Sequence, residues 1–265
     1  MQATELRESI TSMGRIVHAL LLREIRVRFG QRRIGYAWAM IEPALHVGVL
    51  YLLKLVVGAF TPAHIPLVLW LASGIIPFLM FRNMVSRIAT IAKGSQDVLI
   101  LPPVQLSDIV IARALLEFLT STLIFVLALA LYTVLVAPLT IANPLLVAGC
   151  LALLALSGIG LGMVEAVATA FFPSTKPLVD GLLRVLYLIS GVIFALPYLP
   201  PEYQAYLSWN PLLHLFENLH AALFAEYQPL AYGSSLTYAA ICCLLLVVSG
   251  MALLNRYRTM VMANA

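Results

Sequence analysis

The chain has 265 residues and a formal net charge of +4, with 62% hydrophobic and only 11% charged residues. Because a soluble domain carries about 25% charged residues, a single soluble core is excluded and an all-α, multi-span membrane protein is predicted. Apart from Lys54 and Arg82, the positive charge lies on one side of the predicted spans, which argues against a nucleic-acid partner. The three cysteines lie inside apolar runs and form no disulfide or metal-binding pattern.

The first predicted element is an amphipathic helix within residues 1–35. Arginines occupy one narrow arc of this helix and apolar residues the broad opposite face, as in helices that lie at a membrane surface with cationic groups near lipid phosphates. Glu24 and Arg28 are spaced and oriented favourably for an ion pair. Two roles stay open for the helix: an anchor that sets the topology, or a lever that touches a cytoplasmic partner through Arg23 and Arg26.

Six apolar stretches follow. Each has at least the roughly 20 residues that a membrane-spanning helix requires. They cover residues 36–60, 67–92, 109–137, 144–172, 178–197 and 236–254. Backbone polar groups in lipid must be paired within their own segment, so these stretches are predicted to be helices. They form one transmembrane domain at 36–254, which is followed by a tail at 255–265.

Lysine and arginine residues fall on one side of these spans. The loops 61–66, 138–143 and 198–235 contain neither residue, whereas arginines precede the first span and basic residues flank the other connections. This is the positive-inside pattern. It predicts that both termini are cytoplasmic.

The cytoplasmic connection at about 93–108 is a candidate contact with a partner. A short helix is predicted before Pro102 and Pro103, which stop it. Its apolar residues suit docking into a partner's groove, and a loop lying on the bilayer explains the same residues equally well. The residues of interest are Ser95, Gln96, Asp97, Val98, Leu99 and Leu101.

The outer segment at about 198–235 is interrupted by Asn210-Pro211, which predicts two short helices. Neither is long enough to cross a membrane, so the pair is predicted to be re-entrant between spans five and six, or to cap a cavity. His214, Glu217 and His220 invite a zinc interpretation, but their spacing does not place all three on one helix face. No metal site is therefore predicted.

Two local sequences carry a family resemblance. They are Asn210-Pro211-Leu212 and an N-terminal run made of Leu22-Arg23-Glu24-Ile25, Arg28-Phe29, Gly35-Tyr36-Ala37-Trp38 and Glu42-Pro43. Because of these two sequences and the order of its predicted elements, the chain resembles the type-2 ABC exporter permeases. More narrowly, it resembles the capsular polysaccharide export permeases of Gram-negative bacteria.

The resemblance implies a multi-pass protein of the bacterial inner membrane that works as a homodimer and exports lipid-linked acidic capsular polysaccharide. It implies two copies of a separate cytoplasmic ATPase that binds ATP and Mg and meets Arg23, Arg26 and the 93–108 connection. The chain would then be a transport subunit without a cofactor and not an enzyme, in agreement with its lack of a G-x-x-x-x-G-K-[ST] segment. A periplasmic co-polymerase or adaptor and an outer-membrane exporter are further implied partners.

Candidate residues for the polysaccharide path are aromatic residues, whose faces stack on sugars, and cations that meet acidic groups. For each aromatic residue the alternative is lipid contact or anchoring at the membrane interface, which is more common. An ionised side chain within a span costs about 2.5–3.5 kcal/mol at its centre. Lys54 and Arg82 are therefore predicted to face the bundle interior or an aqueous path. The full set of path candidates is Lys54, Arg82, Tyr36, Trp38, Tyr51, Trp70, Phe78, Phe81, Tyr187 and Phe194.

Carboxylates within or beside the spans indicate structural ion pairs. Glu42 is an alternative partner for Arg82, which would then have a structural role. Glu165 has Arg184 or Arg113 as a candidate partner in the inner leaflet. The sequence leaves these alternatives open.

Three other functions compete with polysaccharide export. A gradient-driven carrier more often has inverted repeats and broken helices, and the sequence has no such symmetry. An intramembrane hydrolase needs a G-x-S-x-G elbow, but Ser157 and Ser190 lack its first glycine, and Gly158, Gly160 and Gly162 are better explained by helix packing. A permease for another polymer, such as O-antigen or teichoic acid, is the nearest alternative.

Overall fold

The computed structural model describes residues 2–29, 35–58, 62, 65–91 and 104–263. In the first range the side chains are described for residues 14–28, and in the second range from residue 39 onwards. All regular secondary structure in these ranges is helical, as the composition predicted. The α-helices are α1 (Gln2–Phe29), α2 (Gly35–Val57), α3 (Leu67–Ala89), α4 (Leu106–Leu135), α5 (Pro144–Phe171), α6 (Thr175–Ile189), α7 (Pro201–Leu207), α8 (Pro211–Leu223), α9 (Leu236–Arg256) and α10 (Arg258–Ala263).

Polar caps and prolines decide where several helices begin. The Asn143 side chain accepts a hydrogen bond from the Leu146 amide, and Pro144 occupies the first position of α5. Asn210 and Pro211 begin α8 in the same way. An asparagine cap satisfies an amide that has no partner within the helix, and proline there sacrifices no hydrogen bond. Two short helices, α7 and α8, therefore lie where Asn210-Pro211 predicted them.

Five helices are long and apolar enough to cross a membrane: Ala39–Val57, Leu67–Ala89, Leu106–Leu135, Pro144–Phe171 and Ala231–Arg256. They correspond to the first four predicted spans and to the sixth. The fifth predicted span differs, because α6 has 15 residues and is thus only about 22 Å long, shorter than the roughly 30 Å of a bilayer core.

Tertiary contacts explain why α6 ends early. Gly191 has a φ of +77°, a conformation that interrupts a helix and that glycine adopts without steric cost. The Asn210 amide donates to Ser190 Oγ at 2.8 Å, beyond the end of α6. The backbone then passes so close to α3 that a Cβ on Gly74 would lie 2.3 Å from the Val192 carbonyl oxygen.

The core is built around α3, which is buried along most of its length. In its spanning segment 78% of the residues are buried, against 6% in α2 and 17% in α4. The largest buried side chains of α3 include Trp70, Phe78, Phe81 and Met84. The apolar faces of α2 and α4 that remain exposed are suited to lipid or to a second copy of the chain.

Glycines allow α3 and α9 to pack closely on α5. A Cβ on Gly158 would lie 2.8 Å from Met84 Cβ of α3, and a Cβ on Gly160 would lie 2.8 Å from the Leu246 backbone of α9. Small residues at such crossings let helix backbones approach, which is a principal source of packing energy in membranes. The expectation that these glycines serve packing agrees with this geometry.

The bundle has two chemically different ends. The arginine end is where α3 ends and α4 begins, and it contains Arg87 and Arg113. The tryptophan end, opposite, contains Trp70 and the start of α5, where the Asn143 amide donates to the Ala222 carbonyl of α8 at 2.8 Å. Helices α3, α5 and α9 all run from the tryptophan end to the arginine end.

Substituting Gly160→Ala is expected to destabilise the fold, because the added Cβ meets backbone atoms of α9 that cannot move independently. The expected loss is about 1–3 kcal/mol, measured as a lower thermal unfolding midpoint in detergent. Gly149→Ala is the matched control on the same helix, because no atom lies within 4 Å of its added Cβ. Equal unfolding midpoints for the two variants would contradict the packing role of Gly160.

Candidate functional site

A cavity of about 540 Å³ lies between α2, α3 and α6. Its walls combine two cations, two aromatic rings and a carboxylate in a largely apolar surround. The residues that give it this character are His46, Phe78, Arg82, Asp180, Arg184 and Tyr187. We consider this site, hereafter the α2–α3–α6 cavity, the best candidate for ligand contact.

Two aromatic rings and an accessible cation line this cavity. The rings of Phe78 and Tyr187 lie 5.0 Å apart at 60°, and the Tyr187 hydroxyl is hydrogen-bonded to His46 Nε2 at 2.9 Å. Arg82 Nη2 donates to Glu42 Oε1 at 2.6 Å, the arrangement that the sequence offered as its alternative. Both side chains of that pair are partly exposed, at 36% and 43%, so solvent weakens the pair and Arg82 stays accessible to a ligand.

The chemistry of the α2–α3–α6 cavity suits an anionic, hydroxyl-rich ligand. Guanidinium groups make strong paired hydrogen bonds to carboxylates and phosphates. Aromatic rings supply flat apolar surface with a polar edge, and the Asp180 carboxylate accepts from hydroxyl groups. The cavity thus unites Arg82, Phe78 and Tyr187, three of the predicted path residues, with Arg184.

The other path candidates lie elsewhere. Lys54 donates to the Ile193 carbonyl at 2.6 Å near the tryptophan end, and Tyr51 lines a separate apolar cavity between α2, α3 and α4. Phe194 is partly buried in the segment after α6. The side chains of Tyr36 and Trp38 lie outside the described residues.

Trp70 and Phe81 are core residues, at 0% and 1% exposure. The Trp70 ring stacks on His220 with centroids 3.9 Å apart, and Phe81 packs against Phe78 at 5.8 Å. Their burial follows from the central position of α3, which apolar periodicity along an all-apolar span does not reveal. In this structure neither ring is exposed to a path.

The polar groups of α8 serve packing, and they do not converge on a metal. The His214 imidazole bonds to the Ser208 carbonyl and the Ser235 amide, whereas Glu217 accepts from the Tyr227 hydroxyl at 2.7 Å. Burial raises the pKa of the Glu217 carboxyl and lowers the pKa of His220 to about 3. Within the described ranges no three potential ligands form a metal-binding group.

An ion-pair network at the arginine end holds α1 against the bundle. Glu117 of α4, with a side chain 1% exposed, accepts from Arg28 of α1 at 2.8 Å and pairs with Arg87 of α3 at 2.7 Å. Glu24 of α1 lies 3.2 Å from Arg113 of α4. Arg113 also donates to the carbonyl oxygens of Arg87 and Thr90. Two carboxylates therefore connect three helices.

This network differs from the pairs drawn from the sequence. Glu24 and Arg28 lie four residues apart on α1, yet each has its partner on α4. Glu165 is nearest Lys176, at 3.8 Å, rather than Arg113 or Arg184. Both differences arise because buried charges pair with whichever opposite charge the helix packing brings close, and local spacing does not specify that packing.

Sequence reasoning missed Glu117, although a signal was present. Glu117 is an acidic residue inside an apolar span, and such residues usually face a partner charge or a functional path.

Of the predicted coupling residues, the structure describes the side chains of two. Arg23 lies 3.7 Å from Glu24, and Arg26 is exposed. Ser95, Gln96, Asp97, Val98, Leu99 and Leu101 lie outside the described residues.

A family model described as ABC-2 type transporter matches residues 16–224. The chain belongs to the ABC-2 type transporter family. The matched region of this ABC-2 chain runs from α1 through α8, so it includes both the α2–α3–α6 cavity and the network around Glu117.

Curated relatives align with the ABC-2 chain over nearly its whole length. It is 35% identical to the polysialic acid transport protein KpsM of Escherichia coli, over 92% of each chain. It is 29% identical to the capsule polysaccharide export inner-membrane protein CtrC of Neisseria meningitidis serogroup B, over 97% of this chain and 96% of the relative. It is 26% identical to the capsule polysaccharide export inner-membrane protein BexB of Haemophilus influenzae, over 95% and 91%.

Substituting Glu117→Gln is expected to destabilise this ABC-2 chain by about 3–5 kcal/mol, because it leaves Arg28 and Arg87 partly buried without their anion. Thermal unfolding in detergent measures the loss, and limited proteolysis reports whether α1 separates. Glu42→Gln is the control at an exposed pair, with an expected effect below about 1 kcal/mol. Equal losses for the two variants would show that the Glu117 network does not fix α1.

Proposed function

We propose that the chain is the permease subunit of an ATP-driven exporter that moves lipid-linked acidic capsular polysaccharide across the bacterial inner membrane to the periplasm. The observation that carries the proposal is its alignment with polysialic acid and capsule polysaccharide transport proteins over more than nine tenths of the chain. The α2–α3–α6 cavity supports it, because cations and aromatic faces suit an acidic polymer. Relatives named for capsule export favour this substrate over O-antigen or teichoic acid.

The proposal assigns six crossings to residues 36–254, five by single helices and one by α6 with the segment after it. Three contacts support the sixth crossing. Thr175 at the start of α6 donates to the Phe172 carbonyl beside the arginine end of α5. The segment after α6 meets Lys54 through Ile193 near the tryptophan end, and Leu196 donates its amide to Glu217. Irregular backbone is tolerated within a membrane where protein surrounds it.

Six crossings would place both termini on one side. The positive-inside rule assigns the arginine end to the cytoplasm, and α7 and α8 then form the re-entrant pair near the periplasmic face. Residues 1–35 form the cytoplasmic and interfacial N-terminus, and 255–265 the cytoplasmic tail. In this arrangement α1, α10 and the start of α6 lie at the cytoplasmic end of the bundle.

Single cysteines are expected to establish this topology. In a background whose three native cysteines are alanine, Arg15→Cys and Arg258→Cys should resist a membrane-impermeant maleimide in spheroplasts, and Glu202→Cys should react. All three positions are exposed, so burial does not account for protection. Reaction in inside-out vesicles is the control, and labelling of Arg15→Cys and Arg258→Cys from opposite sides would indicate five crossings.

The proposed assembly contains two copies of this chain and two copies of a separate ATPase that binds ATP and Mg. Closing of the ATPase pair would push on α1 and on the 93–108 connection. Because Glu117 and Glu24 fasten α1 to α3 and α4, a push on α1 would shift these helices as rigid bodies. A path could then open between the two copies, leading to a periplasmic adaptor or co-polymerase and an outer-membrane exporter.

Export by the reconstituted complex tests the function and the cavity together. Arg82→Gln is expected to lower polysaccharide export about tenfold, the effect of one lost charge-assisted contact, while ATP hydrolysis by the co-purified ATPase continues. Arg256→Gln is the matched control, because it removes one arginine outside the cavity. Unchanged export by Arg82→Gln would remove this residue from the path, and failure of the wild type to hold any ATPase would overturn the proposed function.

A further inference from the structure

A second cavity of about 540 Å³ opens at the arginine end, between the final turns of α3 and α5 and the start of α6. Val261 of α10 closes one side, and Thr90, Thr169 and Phe171 form other walls. Its charged lining residues are Glu165, which is buried, and Lys176, whose side chain is 42% exposed. We refer to it as the Glu165 cavity.

The Glu165 carboxylate is buried and incompletely paired. Its side chain is 1% exposed, and neither carboxylate oxygen has a hydrogen-bond partner. Its nearest cation, Lys176 Nζ, lies 3.8 Å away, and the same ammonium lies 3.4 Å from Asp180. An ionised carboxylate without hydrogen bonds is costly in a protein interior, so the cavity has capacity for another donor.

Two threonine hydroxyls add to the preference for a cation. Helices α3 and α5 end at this cavity and α6 begins there, so the negative ends of two helix dipoles and the positive end of a third lie beside it. Thr90 Oγ1 donates to the Ser86 carbonyl and Thr169 Oγ1 to the Glu165 carbonyl. Because both hydroxyl hydrogens are already used, the hydroxyl oxygens of these two lining residues are available as acceptors.

The lining residues of the cavity favour a cationic side chain over a bare metal ion. A calcium ion takes six to eight oxygen ligands at close range, whereas Glu165 is the one carboxylate among the described lining residues. Alanines, Phe171 and Val261 supply apolar walls. Arginine and lysine combine an apolar stem with a cationic head and match both surfaces.

We propose that the Glu165 cavity receives an arginine or lysine side chain of the cytoplasmic ATPase subunit. The inference rests on the proposed function, which supplies the partner and the orientation. Thr90, which lines the cavity, lies three residues before the 93–108 connection in the sequence. The incoming cation completes the hydrogen bonds of Glu165.

Lys176 is the internal competitor for this cavity. When the ATPase side chain enters, repulsion moves Lys176 towards Asp180, four residues along α6. Lys176 already lies 3.4 Å from Asp180, which lines the α2–α3–α6 cavity, so losing its second partner, Glu165, would tighten this existing pair beside Arg82 and Arg184. Docking at one cavity would in this way alter the ligand site at the other.

Affinity between the chain in nanodiscs and its separately purified ATPase tests the proposal. Glu165→Gln is expected to weaken binding about tenfold, the factor of one charge-assisted hydrogen bond. Lys176→Gln is expected to strengthen it several-fold by removing the competitor, whereas Arg256→Gln, which removes another cation at the same end, changes it less than twofold. Weakening by both Glu165→Gln and Lys176→Gln, or no effect of Glu165→Gln, would overturn the proposal.

Photo-crosslinking locates the contact independently. Benzoylphenylalanine in place of Phe171, which lines the cavity and is 40% exposed, should link to an ATPase peptide containing arginine or lysine. Benzoylphenylalanine in place of Phe172, outside the lining, is the adjacent control. Crosslinks from position 171 to lipid alone would overturn the docking site while ATPase co-purification still upheld the proposed function, and loss of all ATPase binding would overturn both.

Discussion

The buried carboxylate of Glu117 is the constraint on which the arrangement of this chain depends. An acidic group with 1% of its side chain exposed is stable in the ionised form only when cations and hydrogen bonds surround it. Arg28 and Arg87 supply the cations, and the Ser121 hydroxyl donates at 3.2 Å. Because these residues come from α1, α3 and α4, satisfying one charge fixes three helices. Helix α1 is thereby held against the bundle.

The same requirement governs the irregular segment after α6. Backbone groups that leave a helix within a membrane protein must find partners in the protein. Lys54 provides a donor for the Ile193 carbonyl, and Glu217 provides an acceptor for the Leu196 amide. These side chains make the break at Gly191 tolerable and let α7 and α8 pack beside the spans. Polar side chains in the apolar part of this chain therefore form hydrogen bonds with backbone groups as well as ion pairs with other side chains.

Helix α6 contributes residues to both cavities. Lys176 in its first turn lies at the Glu165 cavity, and Asp180, Arg184 and Tyr187 line the α2–α3–α6 cavity. The contacts of α6 with its neighbours are sparse, because Leu183 is its one buried residue. A weakly packed element between two polar cavities can move at lower cost than the central α3. Movement of α6 would therefore connect the proposed partner site with the proposed ligand site.

The sequence by itself determined the membrane class, the five spans formed by long apolar runs, the helix start at Asn210-Pro211 and the family. Each of these follows from local composition or from short polar and proline signals. It also singled out Arg82, Phe78 and Tyr187, although together with Trp70 and Phe81, which belong to the core. Only the tertiary structure decided the partners of Glu24, Arg28, Glu117 and Glu165, the break after α6 and which aromatic rings share a cavity. These depend on the rotation and register of helices far apart in the chain, and an all-apolar span carries little periodic information about which face is inside.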